Sequence, residues 1–303
     1  MTANRDRRDR RIEVVVLTYN RPRELEVTLD RLTGLAERPI VHVIDNASTP
    51  GETEAIARRF AGVDYLRLPR NIGAAARNRG VERATSPYVA LCDDDTWWES
   101  GSLLRAADVF DDCPDIAVAN ARVLVGAENR LDGVSLEMAN STLPSRGPGR
   151  DVLGFMAGAS VVRRSAFLAA GGFEPRFFLG GEEELVALDL IAAGWRIVYL
   201  PGLTVHHHPS SLRDSKQREA LLLRNRLWVT WLRRPRRIAF RKTAELLGDS
   251  LSDPEARRAL LSAPGGLVWA LRNRRALPPE TEALVRLLES PRSGIDGRPA
   301  TQT

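Results

Sequence analysis

The stretch Ile12–Pro22 reads IEVVVLTYNRP, a short run of β-branched and apolar residues that ends in a polar turn. A run of this length with charged residues before it is typical of a buried strand, here Ile12–Leu17. Pro22 is favourable in the first turn of a helix, where its nitrogen needs no hydrogen bond. The stretch therefore predicts a strand, a polar loop and the start of a helix.

Three further stretches repeat this pattern. Strands are predicted over Ile40–Ile44, Tyr65–Leu68 and Tyr88–Cys92, each followed by polar residues, and a helix over Ala74–Ala84 precedes the last of them. Strands that alternate with helices predict an α/β fold with a doubly wound, mainly parallel sheet. Ligands of such sheets bind beyond the carboxyl ends of the strands, so the polar loops are expected to converge on one crevice.

The chain is expected to comprise four segments. The sheet domain is predicted over residues 12–211, and a helical C-terminal extension over 212–289 begins with a long helix at Ser215–Arg233. Residues 1–11 are predicted to be a basic disordered tail and residues 290–303 a second disordered tail.

The composition bears on the compartment. The chain has two cysteines, no run of about 18 apolar residues, and no apolar stretch behind its charged first residues. These features argue against a disulfide framework, a membrane-spanning helix and a secretory signal. They predict a cytoplasmic protein.

Basic charge is concentrated in residues 213–242, which hold eleven Lys or Arg against two Asp or Glu, a net of +9. Outside this segment and residues 1–11 the net charge is −7. Trp228, Trp231 and Phe240 are interleaved with the arginines, including Arg233, Arg234, Arg236 and Arg237. The pattern predicts a peripheral contact with an anionic membrane, and the alternative is that the tryptophans pack on the sheet domain. An acidic main domain argues against nucleic acid as a partner.

The triplet Asp93-Asp94-Asp95 directly follows a predicted strand. Adjacent carboxylates repel one another unless a cation lies among them. Asp93 and Asp95 point to the same side of an extended chain, so both are predicted to bind one Mg²⁺ or Mn²⁺ ion. The alternative is a set of solvated or helix-capping acids.

Two other clusters are candidates for the same chemistry. His206, His207 and His208 follow a predicted strand, and one imidazole there can complete a metal site; an exposed basic tip is the alternative. Glu182-Glu183-Glu184 opens a helix, where acids favour the helix dipole, and one of them is a candidate general base.

A phosphate site is predicted near Arg70-Asn71-Ile72-Gly73, because this loop precedes a helix that carries Arg77. The glycine spacing of a dinucleotide site and the Walker-type Gly-Lys-Ser/Thr motif are both missing from the sequence.

Six stretches, in this order along the chain, resemble glycosyltransferase family 2. They are VVLTYNR (Val15–Arg21), VIDNAST (Val43–Thr49), RNIGAAARNRG (Arg70–Gly80), LCDDDT (Leu91–Thr96), GGFEPRFFLGGEEE (Gly171–Glu184) and GWRIVYLPGLTVHHHPSS (Gly194–Ser211). Arg224-Asn225 also resembles a pair that follows the catalytic domain in rhamnosyl- and galactofuranosyl-type relatives, which often act on lipid-linked glycans.

The resemblance implies a GT-A fold and an inverting, metal-dependent transfer from a nucleoside-diphosphate sugar to an acceptor hydroxyl, here of a glycan or lipid-linked glycan. It implies that Asp93, Asp95 and His207 bind the metal, and that Glu183 is the base, or Glu182 if the register shifts by one. The residues implied to bind the nucleotide are Thr18, Asn20, Arg21, Asp45, Gly73, Arg77 and Asp94.

Two other functions remain as alternatives. A sugar-phosphate nucleotidyltransferase shares a similar sheet and metal, but its glycine-rich loop should follow the first strand, where this chain has Thr18-Tyr19-Asn20-Arg21. A non-catalytic nucleotide-sugar binding protein would be expected to lose the metal carboxylates, which are intact here.

Overall fold

The computed structural model describes residues 9–209 and 215–289 of the 303-residue chain. The predicted boundary at 211–212 lies outside these residues, as do positions 1–8 and 290–303 of the predicted tails. Ten strands form one sheet. They are β1 (Ile12–Thr18), β2 (Val41–Asp45), β3 (Val63–Arg67), β4 (Tyr88–Asp93), β5 (Thr96–Trp98), β6 (Ile116–Val125), β7 (Arg130–Leu131), β8 (Arg150–Asp151), β9 (Ala159–Arg163) and β10 (Arg196–His207).

Helices cover both faces of the sheet and form the C-terminal extension. They are α1 (Pro22–Thr33), α2 (Glu52–Ala57), α3 (Arg77–Arg83), α4 (Ser102–Asp112), α5 (Gly133–Ala139), α6 (Arg164–Ala169), α7 (Glu182–Ala192), α8 (Ser215–Arg233), α9 (Arg236–Asp249), α10 (Pro254–Ser262), α11 (Pro264–Arg272) and α12 (Pro279–Glu289). Short 3₁₀ turns occupy Gly73–Ala76 and Pro175–Phe177.

The sheet order confirms the predicted α/β fold. The main path runs β3-β2-β1-β4-β9-β6-β10-β5, and the first four strands are parallel. The antiparallel strand β9 separates β4 from β6, but β6 and β10 again run in the same direction as β4. Six of the ten strands therefore share one direction, and their carboxyl ends lie along one edge.

Local sequence explains where the helices begin and end. Pro22 begins α1, whose buried residues Leu25, Leu29 and Leu32 recur on one face. Gly194 has a φ of +88°, the left-handed conformation that commonly terminates a helix, and it directly follows α7. Strand β10 continues across Pro201-Gly202, and its register with β6 shifts there, between Leu200 and Thr204.

The C-terminal extension shares a hydrophobic core with α7. Trp228 and Trp231 of α8 are buried there beside Leu185 and Leu188 of α7, and Phe177 completes the contact. Full burial of a large apolar side chain contributes about 1.5–3 kcal/mol, so withdrawing both tryptophans would cost much of a domain's stability.

This packing corrects the predicted membrane arm. Arg233 is buried in an ion pair with Asp189, and Arg234 is buried between Glu282 and Glu289, with N–O distances of 2.8 and 2.7 Å. Neither these arginines nor the tryptophans are available to a membrane: the tryptophans pack as the alternative expected, whereas Arg233 and Arg234 are buried in ion pairs. Within residues 9–209 and 215–289, no helix is long and apolar enough to cross a bilayer.

Candidate active site

A cleft of about 390 Å³ lies at the carboxyl ends of β1 and β4. Its lining combines three arginines, two aspartates and several amides, a composition suited to a charged, polar ligand. The lining residues are Leu17, Thr18, Tyr19, Arg21, Asn46, Asn71, Gly73, Ala74, Arg77, Asp93, Asp94, Phe178, Leu179 and Arg218.

The aspartate triplet forms a tight turn between β4 and β5. Thr96 Oγ1 accepts a hydrogen bond from the Asp93 amide at 2.9 Å and donates to the Gly158 carbonyl at 3.0 Å. A Cβ atom at Gly158 would lie 2.8 Å from Asp93 Oδ2, so only glycine permits this approach. The turn sends the three carboxylates to different partners.

Asp94 is buried at the floor of the cleft. Its carboxylate accepts hydrogen bonds from Thr18 Oγ1 at 2.9 Å and from Arg21 at 3.1 Å, and Thr28 Oγ1 holds its carbonyl at 2.8 Å. Burial raises the pKa of Asp94 to about 7, although Arg21 and the Thr18 hydroxyl act in the opposite direction. Asp94 therefore fixes Thr18 and Arg21 in place.

Asp93 faces Arg77, with which it forms a hydrogen-bonded ion pair. Arg77 is 7% exposed, and within the described residues its Nε has no hydrogen-bond partner. A buried guanidinium nitrogen without a partner is costly in a folded protein. Arg77 is therefore positioned to accept an anionic group from a ligand in the cleft.

Asp95 and His207 meet on the other side of the turn. Asp95 is 3% exposed and accepts a hydrogen bond from Arg21 at 3.1 Å, while His207 Nε2 lies 3.7 Å from Asp95 Oδ1. The pairing of β10 with β5 sets His207 opposite Thr96, which brings it beside Asp95.

The rings of the other two histidines pack against Trp97. The His206 and His208 rings lie 5.8 and 4.8 Å from the Trp97 ring, measured between centroids. His206 Nδ1 also lies 3.0 Å from Asn129 Oδ1. The structure thus distinguishes the three histidines and places His207 at the candidate metal position.

In the part of the chain that the structure describes, no three His, Cys, Asp or Glu side chains are grouped as ligands for one ion. Asp93 pairs with Arg77 instead of joining Asp95 and His207. Two ligands of one ion lie at most about 4.2 Å apart, since each is about 2.1 Å from it, so the 3.7 Å between Asp95 and His207 fits. His207 Nε2 is buried and makes no hydrogen bond in the described residues, as expected of a nitrogen atom that binds a metal ion.

Glu182 and Glu183 lie at the start of α7. The Ala157 amide donates to Glu183 Oε1 at 2.6 Å. Burial and then the neighbouring Glu182 raise the pKa of Glu183 to about 7, against the effect of the Ala157 amide and Arg77. Glu182 is 4% exposed, burial also raises its pKa, and its Oε2 makes no hydrogen bond within the described residues.

Two predicted nucleotide ligands have internal partners. Asp45 Oδ1 accepts from the Ser48 amide at 2.7 Å and Oδ2 from the Tyr65 hydroxyl at 2.5 Å. Asn20 Oδ1 accepts from the Thr49 amide at 2.8 Å. Neither residue lines the cleft, in contrast to Thr18, Arg21, Gly73, Arg77, Asp93 and Asp94.

Arg218 is a cleft residue that the sequence analysis missed. It lies in α8, far along the chain from the motifs, and it was one of many arginines in a basic segment. Asn46 was also missed: its side chain accepts from the Ile72 amide at 2.9 Å and donates to the Gly73 carbonyl at 3.0 Å, which holds the loop at the cleft.

Comparison with known proteins agrees with this architecture. A mannosyltransferase from Pyrobaculum calidifontis, solved with GDP-Man and Mn²⁺, aligns with a TM-score of 0.54 at 19% identity. The alignment covers 94% of this chain and 76% of the mannosyltransferase chain. The fold is that of the GT-A glycosyltransferases.

The family model described as Glycosyl transferase family 2 matches residues 13–169. The pre-mycofactocin glycosyltransferase of Mycobacterium tuberculosis is 31% identical over 70% of this chain. The matched region spans 46% of the length of that relative. The N-acetylglucosaminyl-diphospho-decaprenol L-rhamnosyltransferase of the same organism is 30% identical over 65% of this chain. The matched region spans 76% of the length of that rhamnosyltransferase. The chain belongs to glycosyltransferase family 2.

Proposed function

We propose that this protein transfers a sugar from a nucleoside-diphosphate sugar to an acceptor hydroxyl, with inversion at the anomeric carbon. The observation that carries the proposal is a cleft lined by Arg77 and Arg218, next to which lie the Asp95–His207 pair and Glu183. Arg21 of the cleft donates to Asp95, and the pKa of Glu183 responds to the charges of Arg77 and Asp93. These groups match the needs of a diphosphate leaving group, a cation and a base.

The donor diphosphate is held by arginines. Arg77 and Arg218 line the cleft from different elements, and Arg21 is fixed beside them by Asp94. Guanidinium groups bind phosphate oxygens through charged hydrogen bonds. The buried Nε of Arg77 is a donor that has no partner within the described residues, so it can donate to such an oxygen. Thr18 and Gly73 line the same cleft, where the proposal assigns them to the nucleotide.

Asp95 and His207 are the proposed ligands of a divalent cation, Mg²⁺ or Mn²⁺. Such an ion, when bound, offsets the negative charge that develops on the diphosphate. A site with two protein ligands suits a metal that takes its remaining ligands from substrate phosphates and water. The similar mannosyltransferase solved with Mn²⁺ supports this assignment.

Glu183 is the proposed base. Its carboxylate takes the proton of the acceptor hydroxyl as the acceptor oxygen bonds to the anomeric carbon. The bond from that carbon to the diphosphate breaks on the opposite face, and its electron pair leaves with the nucleoside diphosphate. A pKa of about 7 suits this role, because about half of the group is then ionised at neutral pH while the carboxylate is more basic than an ordinary glutamate.

The acceptor is proposed to be a glycan or lipid-linked glycan, as the name of the rhamnosyltransferase relative suggests. A peripheral contact with the inner face of an anionic membrane would bring the enzyme to such an acceptor. One surface fits, and we call it the α9 face: Phe240 and Leu247 of α9 and Leu251 of the turn that follows are 63%, 50% and 82% exposed. Arg236, Arg237 and Arg241 are also exposed on this helix.

The α9 face overlaps the predicted membrane segment, residues 213–242, in Arg236, Arg237, Phe240 and Arg241, and adds Leu247 and Leu251. Positions 240 and 247 share one side of α9, and positions 236, 237 and 241 flank that side. An apolar stripe bordered by cations matches an interface between anionic headgroups and acyl chains. The proposal therefore replaces the buried arginines and tryptophans with this exposed set.

The proposed reaction is tested by incubating the protein with a panel of UDP-, GDP- and dTDP-sugars in Mn²⁺ or Mg²⁺. Without an acceptor, slow transfer of the sugar to water is the reaction that is measured. We expect release of the nucleoside diphosphate and free sugar from one donor, and loss of release in chelator. Formation of a nucleoside triphosphate from donor and pyrophosphate would instead show a nucleotidyltransferase. Thermal stabilisation by a donor without any product, with candidate acceptors added, would show a binding protein.

A further inference from the structure

The loop that precedes Glu182 and Glu183 has an unusual backbone. Phe178, Gly180 and Gly181 all have positive φ values, of +62°, +82° and +89°. A left-handed conformation is unfavourable for phenylalanine and persists only where the surroundings hold it. On one side, the Phe178 carbonyl accepts from the Ala74 amide at 2.7 Å.

Asn225 of α8 holds the other side of this loop. Its side chain is fully buried, and its Nδ2 lies 2.9 Å from the Phe177 carbonyl, 3.0 Å from that of Leu179 and 2.5 Å from that of Gly180. Only an amide nitrogen can donate to these carbonyls, so the orientation of the amide is set by its surroundings. One side chain thus contacts three carbonyls of a strained segment, which share its two N–H groups.

Arg224 in turn orients Asn225. Its Nε and Nη2 donate to Asn225 Oδ1 at 3.0 and 2.8 Å, and its guanidinium lies 4.3 Å from the centre of the Trp228 ring. With its oxygen held by Arg224, the Asn225 amide has its nitrogen directed at the loop. The two residues act as one unit of α8.

Close packing leaves the loop little freedom to move away. A Cβ atom at Gly180 would lie 2.0 Å from Leu222 Cδ2, and one at Gly181 would lie 3.0 Å from Asn225 Cβ. Gly181 is directly followed by the first residue of α7, so the loop sets where that helix begins. Glu183 also depends on the Ala157 amide, and the loop carrying Ala157 is held by another buried asparagine, Asn120, which accepts from the Met156 amide at 3.0 Å.

We propose that Asn225 is a positioning residue for the transfer reaction: it fixes the Phe177–Gly181 loop so that Glu183 keeps its contact with the Ala157 amide. This inference rests on the proposed role of Glu183 as the base. It assigns to the C-terminal extension a part in the chemistry, through a residue outside the region that the family model matches.

Asn225→Asp tests the proposal, because the variant keeps the size of the side chain but replaces the donor nitrogen with an acceptor oxygen. Displacement of a reacting group by about 1 Å can cost about 100-fold in rate, so we expect kcat to fall by 10- to 100-fold. Donor affinity should fall less than kcat, since Arg77 and Arg218 are untouched, although Phe178 and Leu179 of the loop line the cleft. The hydrogen bond from the Ala157 amide lowers the pKa of Glu183, so its loss should raise that pKa. The acid limb of kcat should therefore move to higher pH.

Leu246→Ala is the matched control for stability alone. Leu246 is buried in the same core, on α9, so its truncation should lower the melting temperature without moving the pH profile. Arg224→Met is a milder second variant, which keeps an apolar stem near Trp228 and removes the bonds to Asn225 Oδ1. We expect it to shift the pH profile in the same direction, and hydrogen exchange at residues 179–184 to rise in both loop variants.

An unchanged kcat and pH profile in folded Asn225→Asp would overturn the proposal, as would an equal change in Leu246→Ala. If Asn225→Asp does not fold, a wild-type kcat and pH profile in Arg224→Met overturns it. Glu183→Gln separates this inference from the proposed function. Full turnover of that variant would remove the base assignment itself, whereas an inactive Glu183→Gln beside a fully active Asn225→Asp would remove only the positioning role.

Discussion

Glu183 and Asp94 are both carboxyl groups whose pKa burial raises to about 7, but their partners give them different roles. Asp94 is bound by Thr18, Arg21 and, through its carbonyl, Thr28, so it is a fixed part of the cleft floor. Glu183 has one hydrogen bond from Ala157 and the repulsion of Glu182 beside it. The second arrangement leaves a carboxylate oxygen for an acceptor hydroxyl.

The pKa of Glu183 predicts how turnover depends on pH. The carboxylate is the active form of a base, and a raised pKa means that it is lost as pH falls through about 7. We expect kcat to fall about tenfold per pH unit below this value and to level off above it. The measurement is kcat between pH 5 and 9 at saturating donor.

Glu183→Gln should lower kcat by about 10²–10⁴-fold with little change in donor affinity, because glutamine accepts no proton at these pH values. Glu182→Gln is the matched control one residue away, and it should retain the acid limb. If Glu182→Gln is the inactive variant instead, the register taken from the sequence is wrong by one residue.

At the scale of single elements, α8 shows what a sequence pattern can and cannot predict. Its span of Ser215–Arg233 was predicted correctly, because Pro235 follows it and helix-forming residues fill it. Its partner was not predicted, since a basic segment with tryptophans is equally typical of a membrane helix and of one packed on a core. Arg233 and Arg234 are buried because Asp189, Glu282 and Glu289, distant in the chain, lie opposite them.

The α9 face provides the membrane prediction at this scale. Phe240→Ser with Leu251→Ser, or Arg236→Ala with Arg237→Ala and Arg241→Ala, should weaken sedimentation with vesicles that contain acidic lipid. Three cations near such a surface contribute about 3 kcal/mol at low salt, or roughly 100-fold in affinity, and rising salt should weaken the binding further.

Val134→Ser with Leu136→Ser is the matched control, because these α5 residues are 44% and 51% exposed on a different element. It should bind vesicles as the wild type does. The surface assignment fails if the wild type ignores anionic vesicles at low salt, or if the α9 variants bind as well as the α5 control.

At the scale of the whole molecule, the alternation of strands and helices in the first 95 residues was sufficient to predict the parallel half of the sheet. The insertion of the antiparallel β9 between β4 and β6 had no local signal, since pairing partners are distant in sequence. The converging loops brought Thr18, Arg77 and Asp94 together as expected. Asn225 was noted through resemblance, but its role and that of Arg218 could not be predicted, because both arise from the packing of the extension on the sheet domain.

The most direct test of the account is calorimetric titration of the wild type and Asp95→Asn with UDP, GDP and dTDP, each in Mn²⁺ and in chelator. Asp95 and His207 are the proposed cation ligands, and the cation and Arg77 together hold the diphosphate. The account predicts that one nucleotide binds the wild type at least tenfold more tightly in Mn²⁺ than in chelator, and that Asp95→Asn loses this difference while remaining folded. Binding that is equally tight in chelator, or a folded Asp95→Asn that keeps the full effect of Mn²⁺, would contradict it.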